Sequence, residues 1–277
     1  MSMRFLGRKV GFACLLCFVA AVAIGANRLP FRSSFETGSF SEWNGGLEAS
    51  MSIVAQGASH GTYSTQSINT RGTPTDNYKE YLFGDHVRAG GNREPVSVER
   101  GVWLTLDSKF DTGFQFGTSA NLHKIALINL EDENGRRRYQ ILINVWTANR
   151  QYYIEHLKWN ADRSFNRAMP GMLQNVGTPV AARLGQWDRL KLFVKPNNPG
   201  QSDGVVRFWV NGELKAEYTN IALREDTTYM PNKLLMVNYA TDTTTSGIQR
   251  WDNFYLGEAD PDSDTVRPNP PVLNPVD

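Results

Sequence analysis

Residues 124–146 read KIALINLEDENGRRRYQILINVW and contain two apolar runs on either side of a charged segment. Asn134-Gly135 lies between the runs, and this dipeptide in such a context is the strongest short-range signal for a hairpin with a two-residue type I′ turn. The turn type fixes which residues face each other across the two strands. The segment therefore predicts an antiparallel pair of strands, Lys124–Leu130 and Tyr139–Trp146.

Three acidic and three basic residues flank this turn. In the predicted register the opposing pairs are Glu133 with Arg136, Asp132 with Arg137, and Glu131 with Arg138. Opposite charges that face each other across a strand pair stabilise it. The pattern thus interprets the arginine triplet as cross-strand charge pairing, with a binding site for a polyanion as the alternative.

The same register divides the pair into two faces. One face is apolar and predicts a core, with Leu130, Ile128, Ala126 and Lys124 opposite Tyr139, Ile141, Ile143 and Val145. The other face pairs Asn129 with Gln140, Leu127 with Leu142, Ile125 with Asn144 and His123 with Trp146, and a tight turn at 147–150 adds Tyr153, Glu155 and Trp159.

Amides mixed with aromatic rings are typical of a sheet surface that binds sugars, because rings stack on sugar faces and amides bond to hydroxyls. An ordinary solvent-exposed face is the alternative. A register shifted by one residue would instead bring Lys124, Tyr139 and His156 to this surface.

The rest of the chain has further short runs rich in Val, Ile, Phe, Tyr and Trp, separated by Gly, Pro, Asn and Asp, and no helical periodicity or internal repeat. Such runs without intervening helices predict an all-β fold of two packed antiparallel sheets. The clearest runs are Val102–Phe110, Lys124–Leu130, Tyr139–Trp146, Tyr152–Trp159, Trp187–Lys195, Val205–Val210, Leu234–Tyr239 and Gln249–Leu256.

The two ends of the 277-residue chain differ from its middle. Residues 1–26 have the basic and apolar regions of a cleaved signal peptide, with an uncleaved anchor as the alternative, and predict a secreted or periplasmic protein. Both cysteines lie in this segment, so the mature chain has no disulfide. The proline-rich residues 258–277 predict a disordered tail, with a stub of linker as the alternative, which leaves one domain at 29–257.

Charge narrows the range of partners. Without the first 26 residues, 26 basic residues stand against 28 acidic ones. This balance gives no electrostatic attraction for nucleic acid or for an anionic membrane, and we expect neither partner. We expect the mature protein to be a monomer.

Four segments resemble the concanavalin A-like (laminin-G, lectin and glucanase) jelly-roll superfamily. They are GQWDRLKLFVK at 185–195, GVVRFWVNG at 204–212, RWDNFYLG at 250–257 and FETGSFSEW at 35–43, the last of which is similar to the first strand of secreted polysaccharide-lyase-like proteins. The resemblance implies a two-sheet antiparallel jelly-roll sandwich. Because this fold carries lectins, hydrolases and lyases, it does not imply one activity.

The family's catalytic motifs do not appear in this sequence. The E-x-D-x-E strand of the glucanases is absent, and so are the R-[ST]-E, Q-[IV]-H and Y-x-K-x-G-x-Y motifs of alginate lyases. We therefore expect a secreted polysaccharide-binding protein. A lyase that cleaves uronic acid polymers by β-elimination is the alternative, and a structural protein of an envelope or matrix is the third.

β-Elimination on a uronic acid needs a group that neutralises the carboxylate, a base for the C5 proton and an acid for the leaving oxygen. Four residues of the predicted polar face supply these types, His123, Gln140, Asn144 and Tyr153. Trp146, Asn129, Glu155 and Trp159 are the predicted substrate-binding residues. His86 and His156 are less favoured.

A structural Ca²⁺ ion is the predicted cofactor. Jelly rolls of the resembled superfamily often hold Ca²⁺ where the first and last strands meet, and Glu36 and Asp252 lie in those two segments. Ca²⁺ prefers carboxylates and carbonyl oxygens, so these residues are the predicted ligands. Surface acids without a metal are the alternative.

Overall fold

The computed structural model describes residues 29–263, apart from 48–50, 90–93, 119–121, 161, 163, 168–173 and 241. The predicted signal peptide and residues 264–277 of the predicted tail lie outside the described residues. Within the described part the structure has no α-helix, and so no helix that could cross a membrane.

Fifteen strands form the described part of the chain. They are β1 (Phe31–Ser33), β2 (Gly45–Leu47), β3 (Met51–Val54), β4 (Ser64–Asn69), β5 (Thr75–Leu82), β6 (Val102–Phe110), β7 (Leu122–Glu131), β8 (Arg137–Trp146), β9 (Tyr152–Trp159), β10 (Phe165–Arg167), β11 (Asp188–Lys195), β12 (Gly204–Val210), β13 (Glu213–Ile221), β14 (Met230–Ala240) and β15 (Gly247–Gly257). All eight runs predicted from the sequence fall on strands, except that Trp187 lies just before β11.

The strands form two sheets in which every pairing is antiparallel. The first sheet has the order β13-β12-β11-β6-β15-β4-β3, with β1 also paired to β15. The second has the order β10-β9-β8-β7-β14-β5-β2. This architecture confirms the predicted all-β, two-sheet jelly-roll sandwich.

Alternating side chains of the two sheets meet in one hydrophobic core. In β12, for example, Val206, Phe208 and Val210 are buried, whereas the residues between them are partly exposed. Trp251 on β15 and Tyr152 on β9 are among the largest fully buried side chains. The period of two along such strands places one face of each sheet in the core and turns the other outward.

The hairpin between β7 and β8 exists, but its predicted turn type is wrong. Gly135 has a φ of +71°, whereas Asn134 does not adopt the positive φ that a type I′ turn requires. The N–H of Gly135 donates to the carbonyl of Asp132 at 2.8 Å, and the N–H of Asp132 donates to the carbonyl of Arg136 at 2.9 Å. The turn is therefore one residue longer, a type I turn closed by a glycine in the left-handed region.

A β-bulge in β7 changes the register in the half of this hairpin that is farther from the turn. Leu127, Ile128 and Asn129 face Leu142, Ile141 and Gln140 as predicted, but Lys124 then faces Asn144 instead of Val145. The extra residue is Ile125, whose carbonyl accepts a hydrogen bond from the indole Nε1–H of Trp251 at 3.1 Å. The β7 side chains that come before the bulge in the sequence, at 122–124, therefore lie on the face opposite to the predicted one.

Candidate functional site

The face of the second sheet that points away from the first sheet, called here the outer face, carries the candidate site. One row of cross-strand neighbours runs over five strands of this face and contains only polar residues. We call it the polar row: Tyr153 on β9, Asn144 on β8, Lys124 on β7, Tyr239 on β14 and Asp76 on β5.

Lys124 and Tyr239 are in contact within the polar row. The ammonium Nζ of Lys124 lies 4.0 Å from the centre of the Tyr239 ring, and both side chains are partly exposed. Burial lowers the pKa of Lys124, and the positive charge of Arg137 lowers it further, against the opposing effect of the Glu155 and Asp76 charges. An amine with a lowered pKa is a better proton acceptor near neutral pH than an ordinary lysine.

The prediction that His123 lies on the polar face is wrong, because the bulge at Ile125 turns it into the core. The imidazole is almost completely buried, packs edge-on against Phe110 and Phe114, and its Nε2 lies 2.7 Å from the Oε1 of Gln249. Burial lowers the pKa of His123 to about 4. It is therefore a neutral core residue at pH 7, and Lys124 takes its place on the outer face.

The alternative register, with Tyr139 and His156 on the outer face, applies to neither residue. Both lie in the core, where the two rings stack with centroids 5.4 Å apart. His156 faces Ile141 across β8 and β9, as the predicted register requires. Of the three residues that the alternative register would bring to the outer face, only Lys124 lies there, because it precedes the bulge.

The other residues predicted for the outer face near the polar row, Asn144, Glu155, Trp146 and Tyr153, do lie on that face. The carboxamide Nδ2 of Asn144 donates to Glu155 at 3.3 Å, and both side chains are buried beneath their neighbours. The rings of Trp146 and Tyr153 are 6.1 Å apart and line a cavity of about 350 Å³ with Gln151. Trp146 is partly exposed and Tyr153 is nearly buried, so the indole is the more accessible of the two rings.

The middle of the outer face is apolar. Leu127, Leu142, Leu157 and Val237 form a hydrophobic cluster that is separate from the main core. Tyr78, Trp159, Leu235 and Tyr239 pack against it and are only partly buried. The polar row thus borders an apolar floor flanked by aromatic rings.

A chain of hydrogen bonds runs beyond this floor, from Trp159 to the loop after β5. Trp159 Nε1–H donates to Gln140 Oε1 at 2.8 Å, and Gln140 Nε2–H donates to Asn129 Oδ1 at 2.8 Å. Asn129 Nδ2–H donates to Glu131 Oε1 at 2.9 Å, and Glu131 Oε2 lies 2.9 Å from His86 Nε2. We call these five residues the relay. Asn129 and Gln140 lie on the predicted face but are buried inside the relay.

Backbone geometry fixes the direction of the last bond in the relay. The N–H of Arg88 donates to Nδ1 of His86 at 3.0 Å, so that nitrogen carries no proton. The proton of the neutral ring is therefore on Nε2 and is donated to Glu131. His86, which the sequence did not favour, thus orients a carboxylate.

Glu131 is a buried carboxylate that is ionised near neutral pH. Its Oε1 lies 2.6 Å from the ammonium of Lys233, which is also 3.9 Å from Glu80. Burial alone would raise the pKa of Glu131, but the hydrogen bonds from His86, Lys233 and Asn129, together with the charge of Lys233, lower it to about 2. The ammonium of Lys233 therefore offsets the negative charge of Glu131.

The predicted charge pairs of the hairpin are wrong, because the longer turn shifts the register. Glu131 lies opposite Arg137 instead of Arg138, and Arg138 binds Asp132 at 2.7 Å. Arg136 and Arg137 form no ion pair with any residue in the described part of the chain.

A pocket of about 640 Å³ lies beside this hairpin and is called here the hairpin pocket. It is lined by Glu131, Gly135, Arg136, Arg137, Arg138, Trp159, Asn160 and Lys233.

Three solved structures with a similar fold are those of polysaccharide lyases. The endo-β-1,4-glucuronan lyase from the fungus Trichoderma reesei is 16% identical, covering 82% of this chain and 94% of that chain, with a TM-score of 0.56. The marine PL-14 alginate lyase from Aplysia kurodai is 11% identical (75% and 86% covered, TM-score 0.53). A mutant of alginate lyase Aly36B in complex with alginate trisaccharide is 10% identical (78% and 88%, TM-score 0.54).

The chain shares its two-sheet fold with these three enzymes. No protein-family model matches the sequence, and no curated protein matches it either. The predicted resemblance to the concanavalin A-like superfamily is confirmed at the level of the fold, which this chain shares with the lyases despite identities of 16% or less.

The predicted Ca²⁺ ligands, Glu36 and Asp252, both bind the loop at 59–63. Both carboxylate oxygens of Glu36 accept the N–H of Thr62, and Oδ2 of Asp252 accepts the N–H groups of Ser59 and His60. Among the described residues, no group of three or more His, Asp and Glu side chains could hold a metal ion. The donor chemistry suits Ca²⁺, but backbone N–H groups face these carboxylates, so the site is incomplete as it stands.

The structural Ca²⁺ ion stays a prediction, and thermal melting with and without Ca²⁺ tests it. We expect added Ca²⁺ to raise the melting temperature, because an ion that binds only the native state stabilises it by mass action. Glu36→Gln and Asp252→Asn should each abolish the increase. A melting curve that is the same in Ca²⁺ and in chelator would leave the two carboxylates as hydrogen-bond acceptors for the 59–63 loop alone.

Proposed function

We propose that the protein binds an acidic polysaccharide on the outer face of the second sheet and cleaves it by β-elimination. The observation that carries the proposal is the Lys124–Tyr239 contact in the polar row, which puts an amine of lowered pKa beside a phenol on an accessible face. The similar solved structures are lyases of glucuronan and alginate, which supports this reaction over binding alone.

The proposed reaction uses the two groups as base and acid. The neutral amine of Lys124 takes the proton from C5 of a uronate unit, the C4–O bond breaks, and a C4=C5 double bond forms. The phenol of Tyr239 gives its proton to the departing glycosidic oxygen. Once protonated, Lys124 carries a positive charge beside the substrate carboxylate, whose negative charge grows as C5 loses its proton.

The product gives the test of this function. Elimination creates an unsaturated sugar that absorbs ultraviolet light, whereas binding and hydrolysis do not. We expect absorbance to rise when the protein is incubated with glucuronan or alginate, two polymers with different uronate units. Binding to either polymer without any rise in absorbance would contradict cleavage.

Binding without cleavage is the second candidate, and one observation favours it. The floor beside the polar row is made of Leu127, Leu142, Leu157 and Val237, with Trp159 and Tyr239 at its borders. Such a surface suits the apolar faces of sugar rings and contributes no acid or base. A binding protein would show affinity on a glycan array and no absorbance change.

Tyr239→Phe tests the proposed acid. The variant keeps the aromatic ring next to Lys124 but loses the phenolic proton, so turnover should fall by about 10²-fold or more while affinity is retained. Tyr153→Phe is the matched control in the same row. Because the Tyr153 side chain is nearly buried, we expect the loss of its hydroxyl group to cost no more than one hydrogen bond, about 1 kcal/mol. Loss of turnover in Tyr153→Phe alone would move the acid to Tyr153.

A further inference from the structure

We propose that the hairpin pocket is a binding subsite for a carboxylate or sulfate group of the polysaccharide, with Arg137 as the residue that contacts this anion. The inference rests on the proposed function for its ligand class, an acidic polysaccharide. It adds a second contact point, on the far side of the apolar floor from the polar row, and it names the residue that selects for charge.

The charge balance of the pocket leaves positive charge for a ligand. Four cations, Arg136, Arg137, Arg138 and Lys233, line it, and the one lining acid, Glu131, is neutralised by Lys233. Arg138 is engaged by Asp132 outside the lining. Among the described residues this leaves the guanidinium groups of Arg136 and Arg137 without an ion pair, and both side chains are exposed.

Arg137 differs from Arg136 because an aromatic platform orients it. Its guanidinium lies 4.5 Å from the centre of the Trp159 ring, a stacking distance for a cation on an indole. Contact with the indole covers one flat face of the guanidinium, and because Arg137 as a whole is exposed, we infer that its N–H edge stays accessible. That edge is the part that binds a carboxylate or sulfate through two parallel hydrogen bonds.

The platform is itself held in place by the relay. Trp159 cannot rotate without breaking its bond to Gln140, which is bonded through Asn129 to the buried Glu131. Lys233 and His86 fix Glu131 in turn. A buried network with each of these bonds made is costly to disturb, so the ring and the guanidinium on it are positioned before any ligand arrives.

The subsite also influences Lys124, the proposed base. The charge of Arg137 is felt at Lys124, where it contributes to the lowered pKa of the amine. The hairpin pocket and the polar row therefore lie on one face, close enough for the charge of Arg137 to act on the amine of Lys124.

The test measures affinity without turnover. We would use a Lys124→Ala background, a glucuronic acid tetrasaccharide, and the same tetrasaccharide with its carboxylates reduced to alcohols, and measure dissociation constants by calorimetry. Arg137→Gln should weaken binding of the acidic tetrasaccharide about tenfold, the effect of one charge-assisted contact, and leave the neutral one unchanged. Arg137→Lys should recover part of the loss.

Two further variants separate a subsite from a folding effect. Arg207→Gln removes an arginine that is paired with Glu217 on the first sheet, away from the hairpin pocket, so affinity for the acidic tetrasaccharide should not change. Trp159→Phe keeps a ring but removes the bond to Gln140, and it should weaken binding of the acidic probe alone. Equal losses for both probes, or no loss in Arg137→Gln, would overturn the proposal. Failure of elimination in the absorbance assay would leave this result unaffected.

Discussion

Replacing Lys124 with alanine should lower the rate of elimination by about 10²–10⁴-fold, the usual contribution of a general base. Lys124→Arg should be as inactive, because a guanidinium keeps the positive charge but does not give up its proton near neutral pH. The turnover number, followed by ultraviolet absorbance, is the measurement. An active Lys124→Arg protein would show instead that this residue acts only as a cation.

The neighbouring histidine is the matched control for this prediction. His123→Ala removes a side chain one position away on the opposite face of β7, so turnover per folded molecule should be unchanged. The protein should instead be less stable, because Gln249 loses its buried partner at a cost of about 1–3 kcal/mol. A loss of turnover in His123→Ala at full folding would contradict the placement of the bulge.

Acid should destabilise the protein through Glu131. Its pKa is about 2 in the folded protein and has an ordinary value of 4.5. A carboxylate with a lowered pKa stabilises the native state above its ordinary pKa, and this contribution is lost as the pH falls from about 4.5 toward about 2. The difference corresponds to about 3 kcal/mol of unfolding free energy, which urea titrations at several pH values would measure.

Glu131→Gln isolates this effect from the other carboxylates. The variant should be less stable at pH 7 by about 3 kcal/mol, because Lys233 is left as a buried charge with only the more distant carboxylate of Glu80 as a partner. Its stability should then change less between pH 4.5 and pH 2 than that of the unmodified protein. Glu217→Gln, at an exposed ion pair with Arg207, is the control and should change neither quantity. An unchanged pH dependence in Glu131→Gln would assign the acid sensitivity to other groups.

The strands could be predicted because their signal is local. Val102–Phe110 and Tyr152–Trp159 match β6 and β9 to the residue, since an apolar run cut by turn residues needs no distant contact to be recognised. The short strands β1, β2, β3 and β10 have three or four residues each and carry too few side chains to show a period. Their pairing depends on longer strands that are distant in the sequence.

The turn of the β7–β8 hairpin shows how a side chain overrides a dipeptide signal. Oδ1 of Asp132 accepts the N–H groups of Asn134 and Arg136, both at 2.9 Å, which favours a type I turn. The type I′ turn expected from Asn-Gly is found at Asn211-Gly212, where both residues have positive φ and Val210 faces Glu213. The same dipeptide therefore gives two turns, according to whether the residue two positions before the asparagine can accept hydrogen bonds from the turn.

The candidate site was predicted in part, and the bulge explains the rest. Asn144, Glu155 and Trp146 lie on the predicted face because their register depends only on the hairpins that flank them. The exchange of His123 for Lys124 depends on the bond from Trp251 to the Ile125 carbonyl, which joins residues 126 positions apart on different sheets. No local pattern in β7 contains that information.

The pairing of β1 with β15 bears on how the domain can be attached to other structures. Phe31 and Leu256 are direct neighbours in the first sheet, so the chain enters and leaves the folded unit side by side. The outer face belongs to the opposite sheet. A tether or a fusion partner attached through either strand would therefore start from the first sheet and leave the outer face of the second sheet uncovered. The same proximity makes the domain suited to circular permutation, with a short linker between its present ends.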